Sequence, residues 1–221
     1  MTSVHSVARH RMIEKQLKPM GIRDPNVLEA METVPREVFV GQGFQTRAYD
    51  DAPLPIEAGQ TISQPFIVAY MIEALNLRGD EKVLEVGTGS GYAAAVLSRI
   101  AAEVITVERI DALAEPARQR LSQLGYTNVH CRRGDGSMGW PQDAPYDAIV
   151  VSAGAPAVPD ALKNQLATGG RLIIPVGGKA SHQRLLKVTR VDADRFIEDA
   201  VGDVRFVPLV GDQGWQVESE D

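Results

Sequence analysis

The sequence predicts an α/β fold: a mostly parallel sheet covered by helices, with an antiparallel C-terminal edge and a helical N-terminal segment. After residue 80, short apolar runs alternate with helical patterns, which is typical of a parallel sheet with helices on both faces. Before residue 80, apolar residues recur at helical spacing without that alternation. The 221 residues are therefore expected to divide into an N-terminal segment, 1–78, and an α/β domain, 79–221.

Three helices are expected in the N-terminal segment. The first should end before Pro19 and carries four apolar residues on one face: Val7, Met12, Ile13 and Leu17. Asp24 followed by Pro25 predicts the N-cap and first turn of the second helix, which should end before the next proline. The third helix is expected over 65–75, after an extended connection rich in Gly, Pro and Asp at 41–60.

Five apolar runs are expected to form the parallel strands, at 82–86, 104–107, 129–132, 147–152 and 171–175. Predicted helices lie between them at 91–100, 111–124 and 159–166. Asp111 is expected to cap the second of these helices and Gly125 to end it. Two later runs, 184–191 and 204–209, flank a short Asp-rich break and predict an antiparallel pair.

A glycine-rich turn joins the first predicted strand to its helix: Glu85-Val86-Gly87-Thr88-Gly89-Ser90-Gly91-Tyr92. In a doubly wound sheet this turn lies at the carboxyl ends of the strands, where ligands bind. Glycines let a ligand approach the backbone, and the helix N-terminus offers unpaired N–H groups to an anion. A dinucleotide fingerprint needs glycine where Tyr92 stands, which disfavours a nicotinamide oxidoreductase. A tight turn without a ligand is the structural alternative.

Acidic residues follow the next two strands at the same edge of the sheet. Glu108 ends the second strand, where a carboxylate can accept hydrogen bonds from both hydroxyls of a ribose. Asp135 and Gly136 follow the third strand, where the carboxylate can accept from an adenine amino group. The alternatives are a solvated acid at Glu108 and an ordinary turn at Asp135. The glycine turn, Glu108 and the turn at Asp135 follow three successive strands, and together they indicate a nucleoside-binding site more specifically than any one of them does.

Composition limits the classes of partner. The net charge of −6, from 29 acidic and 23 basic residues, argues against a nucleic-acid partner. Cys131 is the only cysteine, which fits a reducing compartment, and no apolar run predicts a signal peptide or a membrane span. We therefore expect a cytoplasmic protein. No metal site is expected, because the four histidines are scattered. The sequence does not indicate the oligomeric state.

Segments along nearly the whole chain carry a family resemblance. The most specific is Gly59-Gln60-Thr61-Ile62-Ser63-Gln64-Pro65, and the others lie at 34–40, 48–51, 53–55, 134–140, 144–147, 169–177 and 206–209. These segments closely resemble the protein-L-isoaspartate O-methyltransferases, and the glycine turn is similar to the first motif of S-adenosylmethionine-dependent methyltransferases. The resemblance implies a Rossmann-like methyltransferase sandwich. It also implies methyl transfer from S-adenosylmethionine to the free α-carboxylate of L-isoaspartyl residues in damaged proteins and peptides, a repair reaction.

The resemblance also implies site residues. Ser63 matches the position to which the family assigns catalysis. The implied cofactor-binding residues are Gln60, Thr61, Ile62, Ser63, Glu85, Gly87, Thr88, Gly89, Gly91, Glu108, Asp135 and Gly136. Val68 departs from the pattern, because some members have a histidine there near the cofactor. The segment 210–215 is shorter than in some relatives, so the contribution of Gln213 is left open.

The implied chemistry fits these residue types. A carboxylate with a pKa of roughly 4 is ionised at neutral pH, so it needs no general base to attack a sulfonium methyl group. Ser63 can orient that carboxylate by donating one hydrogen bond. Its local sequence equally fits a helix N-cap before Pro65. Two further hypotheses stay open: a paralogue that methylates a small-molecule carboxylate, and a non-catalytic S-adenosylmethionine-binding adaptor.

Overall fold

The computed structural model describes residues 4–179 and 181–216. Its main sheet contains β3 Lys82–Val86, β4 Glu103–Glu108, β5 Val129–Arg133, β6 Tyr146–Val151, β7 Leu166–Gly177, β8 Gln183–Arg190 and β9 Phe196–Val204. The spatial order is β5-β4-β3-β6-β7-β8-β9; β8 pairs antiparallel with both β7 and β9, and the other neighbours pair in parallel. A separate antiparallel pair joins β1 Leu54–Pro55 to β2 Thr61–Ile62. The predicted α/β fold with an antiparallel edge is confirmed.

The strand order reverses next to β3, which pairs with β4 on one side and with β6 on the other. Side chains of β3 alternate between two buried cores: Val83 lies in one, and Leu84 and Val86 lie in the other. Burial on both faces explains why this strand is a nearly continuous apolar run. The reversal opens a crevice at the carboxyl ends of the strands, where doubly wound sheets bind ligands.

The described residues form the helices α1 Val4–Met12, α2 Pro25–Thr33, α3 Pro65–Leu75, α4 Tyr92–Leu97, α5 Asp111–Gln123 and α6 Asp160–Asn164. A wider helical turn continues α1 through Ile13–Leu17. The Asp24 carboxylate accepts hydrogen bonds from the N–H groups of Asn26 and Val27 at 2.8 and 3.3 Å, which confirms the predicted cap. In this part of the chain, none of the helices has the length and apolar character that a membrane crossing requires.

The N-terminal helices pack on one face of the sheet together with α3 and α4. Met12, Leu17 and Met31 are buried in the same core as Val83 and Ile173. Full burial of each such side chain contributes roughly 1.5–3 kcal/mol. Because α2 and α3 both belong to this core, they fix the two ends of the connection that carries the Thr-Ile-Ser segment.

The prediction for the C-terminal strand pair is wrong. β8 pairs with Phe196–Val204, not with residues 204–209. The Asp-rich stretch forms the exposed edge strand, where charged side chains face water and discourage pairing with another chain. Residues 206–209 instead cross the carboxyl ends of the strands, and Gly154 forms a bridge with Pro208 there.

Two predictions about helices are also wrong. Val7 is 59% exposed, so it does not lie on the buried face of the first helix. Asp111 is the first residue of α5 rather than its cap, and its carboxylate pairs with Arg133. The cap position is Ile110, whose N–H donates to Glu108 Oε1 at 2.9 Å.

Other element boundaries shift by a few residues. β7 already begins at Leu166 and continues to Gly177, so it is longer than the predicted run at 171–175. The helix predicted at 159–166 is accordingly shorter and ends at Asn164. The helix after the glycine turn ends at Leu97, three residues before the predicted end.

Candidate active site

A cavity of about 340 Å³ lies at the carboxyl ends of β3 and β4, in the crevice that the strand reversal opens. Three segments that are distant in sequence line it: residues 60–63 at β2, residues 85–90 at the glycine turn, and residues 207–210 near the C-terminus. Cavities of roughly 300–1,000 Å³ are typical of small-molecule sites. This cavity is therefore the candidate cofactor site.

The glycine turn forms one wall of the cavity. Gly87 and Gly89 have φ angles of +93° and +52°, a region that favours glycine because it has no Cβ. The Gly87 N–H donates to the carbonyl oxygen of Val107 at 2.9 Å, which fixes the turn against β4. Gly87, Thr88 and Gly89 all line the cavity.

Gly91 lies behind the turn and does not line the cavity. It is the N-cap of α4, with a φ of +89°. A Cβ at this position would lie 3.2 Å from a methyl carbon of Leu121 on α5. The third glycine of the motif therefore lets α4 and α5 pack closely.

Glu108 lines the cavity and also holds the glycine turn. Its carboxylate is buried, with Oε2 accepting from the N–H of Gly89 at 3.0 Å. Oε1 accepts from the N–H of Ile110 at 2.9 Å. Each carboxylate oxygen has a second lone pair, so these bonds leave the capacity to accept from a ligand hydroxyl.

Glu85 lines the same cavity and is fully buried. The Thr106 hydroxyl donates to its Oε2 at 2.6 Å, and the Thr88 and Thr106 hydroxyls are hydrogen-bonded to each other at 2.6 Å. Its Oε1 is buried without a hydrogen-bond partner among the described residues. Desolvation raises the pKa of Glu85 to about 8; the Thr106 hydrogen bond opposes this shift and the Glu108 charge adds to it.

Asp135 lies outside the cavity lining, whereas its neighbour Gly136 belongs to it. Asp135 Oδ1 accepts from the N–H and the hydroxyl of Ser137 at 2.9 and 2.7 Å. Oδ2 accepts from the N–H of Asp212 at 2.7 Å. The carboxylate thus fastens residues 206–215, which we call the C-terminal strap.

The strap supplies lining residues that the sequence analysis missed, 207–210. Trp215 Nε1 donates to the carbonyl oxygen of Gly154 at 3.0 Å, and Gln213 Oε1 accepts from the N–H of Ala161 at 3.0 Å. Gln213 therefore holds the strap rather than lining the cavity. Ser152, at the end of β6, also lines the cavity and was missed. Its place at the end of the predicted strand 147–152, at the edge of the sheet where ligands bind, is the signal that could have found it.

The Thr-Ile-Ser segment forms the opposite side of the site. β1 and β2 pair so that Leu54 faces Ile62, and Ile56 donates to the carbonyl oxygen of Gln60 at 2.9 Å. This hairpin brings four predicted residues into the cavity lining: Gln60, Thr61, Ile62 and Ser63. Val68, in the first turns of α3, lines it as well.

Ser63 does not cap α3. The N-cap residue is Gln64, and it makes no capping bond with its side chain. Asp51 performs that role instead, because its Oδ1 accepts from the N–H of Phe66 at 3.0 Å. The Ser63 hydroxyl makes no hydrogen bond within the part of the chain that the structure describes. The capping alternative is therefore wrong, and the hydroxyl is available to a ligand.

A second groove, of about 770 Å³, meets the cavity at Ser63. Four residues line both: Thr61, Ser63, Ser152 and Val207. The groove is also lined by His182 and Asp203, whose Nε2 and Oδ1 atoms lie 3.3 Å apart, and by Arg205. Ser63 thus lies between the cavity and the larger groove.

Comparisons with known proteins identify the family. The sequence model of protein-L-isoaspartate (D-aspartate) O-methyltransferase matches residues 8–214. The chain belongs to this family. The predicted family, enzyme class and methyl donor are therefore confirmed: these enzymes are S-adenosylmethionine-dependent methyltransferases that act on isoaspartyl residues.

Individual relatives match over nearly the whole chain. A protein-L-isoaspartate O-methyltransferase of Rhodopseudomonas palustris is 59% identical over 94% of this chain and 84% of its own length. One from Pelobacter propionicus is 60% identical over 94% of this chain and 92% of its own. A Plasmodium falciparum structure described as this methyltransferase, in complex with S-adenosyl-L-homocysteine, is 26% identical. It superposes with a TM-score of 0.78 over 93% of this chain and 98% of its own.

Proposed function

We propose that this protein methylates the free α-carboxylate of L-isoaspartyl residues, with the methyl donor in the 340 Å³ cavity and the peptide in the adjoining groove. The observation that supports this most directly is the position of Ser63, which lines both spaces. A methyl group that passes from one ligand to the other must cross where the two spaces meet. Isoaspartyl proteins and peptides are then the partners of the groove.

The cavity suits S-adenosylmethionine, which supplies a methyl group on a positively charged sulfonium. Glu108 offers acceptor capacity for the two ribose hydroxyls. Among the described residues, Glu85 has a buried carboxyl oxygen without a hydrogen-bond partner, which could accept a hydrogen bond from the ligand. We propose direct contacts from Gln60, Thr61, Ile62, Ser63, Glu85, Gly87, Thr88, Gly89, Glu108 and Gly136, and an indirect contribution from Gly91 and Asp135.

Ser63 would act by orientation. Its hydroxyl would donate a hydrogen bond to one oxygen of the substrate carboxylate. The other oxygen would bond to the methyl carbon in line, as the bond from that carbon to the sulfonium sulfur breaks and a neutral thioether leaves. The carboxylate is already ionised, so no base has to remove a proton. Alignment of two reactants can lower a barrier by as much as about 7–11 kcal/mol, and one hydrogen bond supplies a small part of this.

The groove argues for a polypeptide rather than a small-molecule substrate. At about 770 Å³ it has more than twice the volume of the cofactor cavity, and charged side chains are among those that line it. We also propose a cytoplasmic location, because Cys131 is the only cysteine in the sequence. We further propose a functional division between residues 1–78 and 79–221.

The proposed role of Ser63 is tested by Ser63→Ala. Loss of a hydrogen bond to a charged group, worth about 1.5–3 kcal/mol, should slow single-turnover methylation by roughly 10- to 100-fold. The affinity for S-adenosylmethionine should stay unchanged. Ser98→Ala is the matched control, because its hydroxyl donates only to Ala95 O and lies outside both spaces. An unchanged rate with weakened cofactor binding would contradict the assignment.

A further inference from the structure

Arg36 is a charged residue with no exposed surface. Its guanidinium donates from Nε to the carbonyl oxygen of Ala48 at 2.7 Å and from Nη2 to the carbonyl oxygen of Ser63 at 2.8 Å. It lies over the ring of Tyr92, 4.7 Å from the ring centre. Among the described residues, no ion pair joins Arg36 to a carboxylate. A buried cation held only by carbonyl oxygens and an aromatic face is an unusual core residue.

The three partners of Arg36 belong to different parts of the site. Ser63 lies between the cofactor cavity and the groove. Tyr92 lines the cavity and begins α4, directly after the glycine turn. Ala48 lies three residues before Asp51, whose carboxylate caps α3. The guanidinium therefore connects the segment carrying Ser63 to the helix that follows the cofactor loop.

We infer that Arg36 is a positioning residue, which holds the backbone of Ser63 so that the hydroxyl is aligned with the transferred methyl group. This inference rests on the proposed function of Ser63. Arg36 itself touches neither space, since it lines neither the cavity nor the groove. A displacement of about 1 Å at a reacting centre can slow a reaction roughly 100-fold, so the fixed carbonyl of Ser63 matters for the rate.

The planar geometry of the guanidinium group explains why position 36 is an arginine rather than a lysine. Its N–H groups point in fixed directions and reach two carbonyl oxygens at once, whereas lysine carries a compact charge on a flexible stem. Arg36→Lys therefore keeps the charge but should lose the simultaneous hold on Ala48 and Ser63. An apolar residue of similar length would fill the space without either bond.

Arg171 provides a matched control. Its Nε and Nη2 donate to the carbonyl oxygens of Leu75 and Asn76 at 2.7 and 3.0 Å, at the opposite end of α3 from Ser63. Arg171→Lys removes the same kind of contact from the same helix without touching the Thr-Ile-Ser segment. Arg171 differs from Arg36 in being partly exposed and in pairing with Glu81 at 3.6 Å, so the melting temperature of each variant is measured beside its turnover.

The test is a double-mutant cycle on the full-length protein, with turnover measured on an isoaspartyl peptide at saturating S-adenosylmethionine. Arg36→Lys should lower kcat about 10- to 100-fold and change cofactor affinity and peptide KM by less than about 3-fold. Arg171→Lys should leave kcat within about 3-fold of wild type. In a Ser63→Ala background, Arg36→Lys should have almost no further effect, because residues that act through one another are not additive.

Three results would overturn the inference. The first is an equal loss of kcat from Arg36→Lys whether or not Ser63 is present. The second is an Arg36→Lys protein with wild-type turnover. The third is that Arg36→Lys and Arg36→Gln are both unfolded at the assay temperature while Arg171→Lys is folded. A purely structural role of Arg36 would then explain the loss of turnover. If Ser63→Ala alone retains full turnover, the proposed function of Ser63 fails separately.

Discussion

The carboxylate of Glu108 accepts a hydrogen bond of 3.0 Å from the backbone N–H of Gly89. The acid expected to bind the ribose therefore also holds the glycine turn that surrounds the rest of the ligand. Its second oxygen accepts from the N–H of Ile110 at the start of α5. The Glu108 side chain thus links the glycine turn to the residues that follow β4.

Glu108→Ala should weaken S-adenosylmethionine binding by about 1–3 kcal/mol, the range of a lost hydrogen bond to a charged group. Calorimetric titration measures this directly. Glu108→Gln keeps one acceptor oxygen and should have a smaller effect than Glu108→Ala. Equal affinities for the wild type and Glu108→Ala would show that this carboxylate does not contact the ligand.

Gly91→Ala should act mainly on stability. The new methyl group would lie 3.2 Å from Leu121, and such overpacking destabilises proteins by about 1–3 kcal/mol. Gly125→Ala is the control, because Gly125 also has a positive φ, +76°, but a Cβ there meets no atom within 4 Å. The melting temperature of Gly91→Ala should fall further than that of Gly125→Ala. A normal melting temperature with lost cofactor binding would instead indicate a direct contact by Gly91.

Glu85 should make the ligand-free protein less stable as the pH rises. Desolvation raises its pKa in the folded state to about 8, so between about pH 4.5 and 8 the folded protein holds a proton that the unfolded chain has lost. The free energy of unfolding must then decrease with rising pH across this window. Denaturant unfolding at several pH values measures the slope, which should be shallower for Glu85→Gln. The same slope in both proteins would contradict the assignment.

Asp135→Asn should loosen the C-terminal strap, because an amide nitrogen in place of Oδ2 cannot accept from the Asp212 N–H. Proteolytic cleavage within the strap should increase, and affinity should fall equally for S-adenosylmethionine and for an analogue with hypoxanthine in place of adenine. Asp194→Asn, in an exposed turn, serves as the control. A loss confined to the adenine ligand would show that Asp135 reads the adenine amino group directly.

Much of the fold and site could be predicted because its signals are local. The glycine turn, Glu108 and Gly136 each follow a strand, and parallel strands bring their carboxyl ends to one edge. The cap at Asp24 depends on residues two and three positions away. Features of this kind need no knowledge of tertiary contacts.

The features that could not be predicted depend on contacts between distant segments. Arg36 is expected at the surface from its charge, and only the folded chain shows it buried against Ser63. Asp51 caps a helix that begins 14 residues later, so no local motif indicates it. The edge strand β9 was missed because its charged residues suit an exposed edge but hide the apolar alternation of a strand.

The central claim is that the site aligns an isoaspartyl carboxylate with the methyl donor. The most direct test measures transfer of a labelled methyl group to an isoaspartyl peptide and to the peptide of the same sequence with normal aspartate. In isoaspartate the chain leaves through the side-chain carbonyl, which inserts one backbone carbon and shifts the acceptor by about an ångström. We predict a rate at least about 100-fold higher for the isoaspartyl peptide. Equal rates on the two peptides would contradict the account.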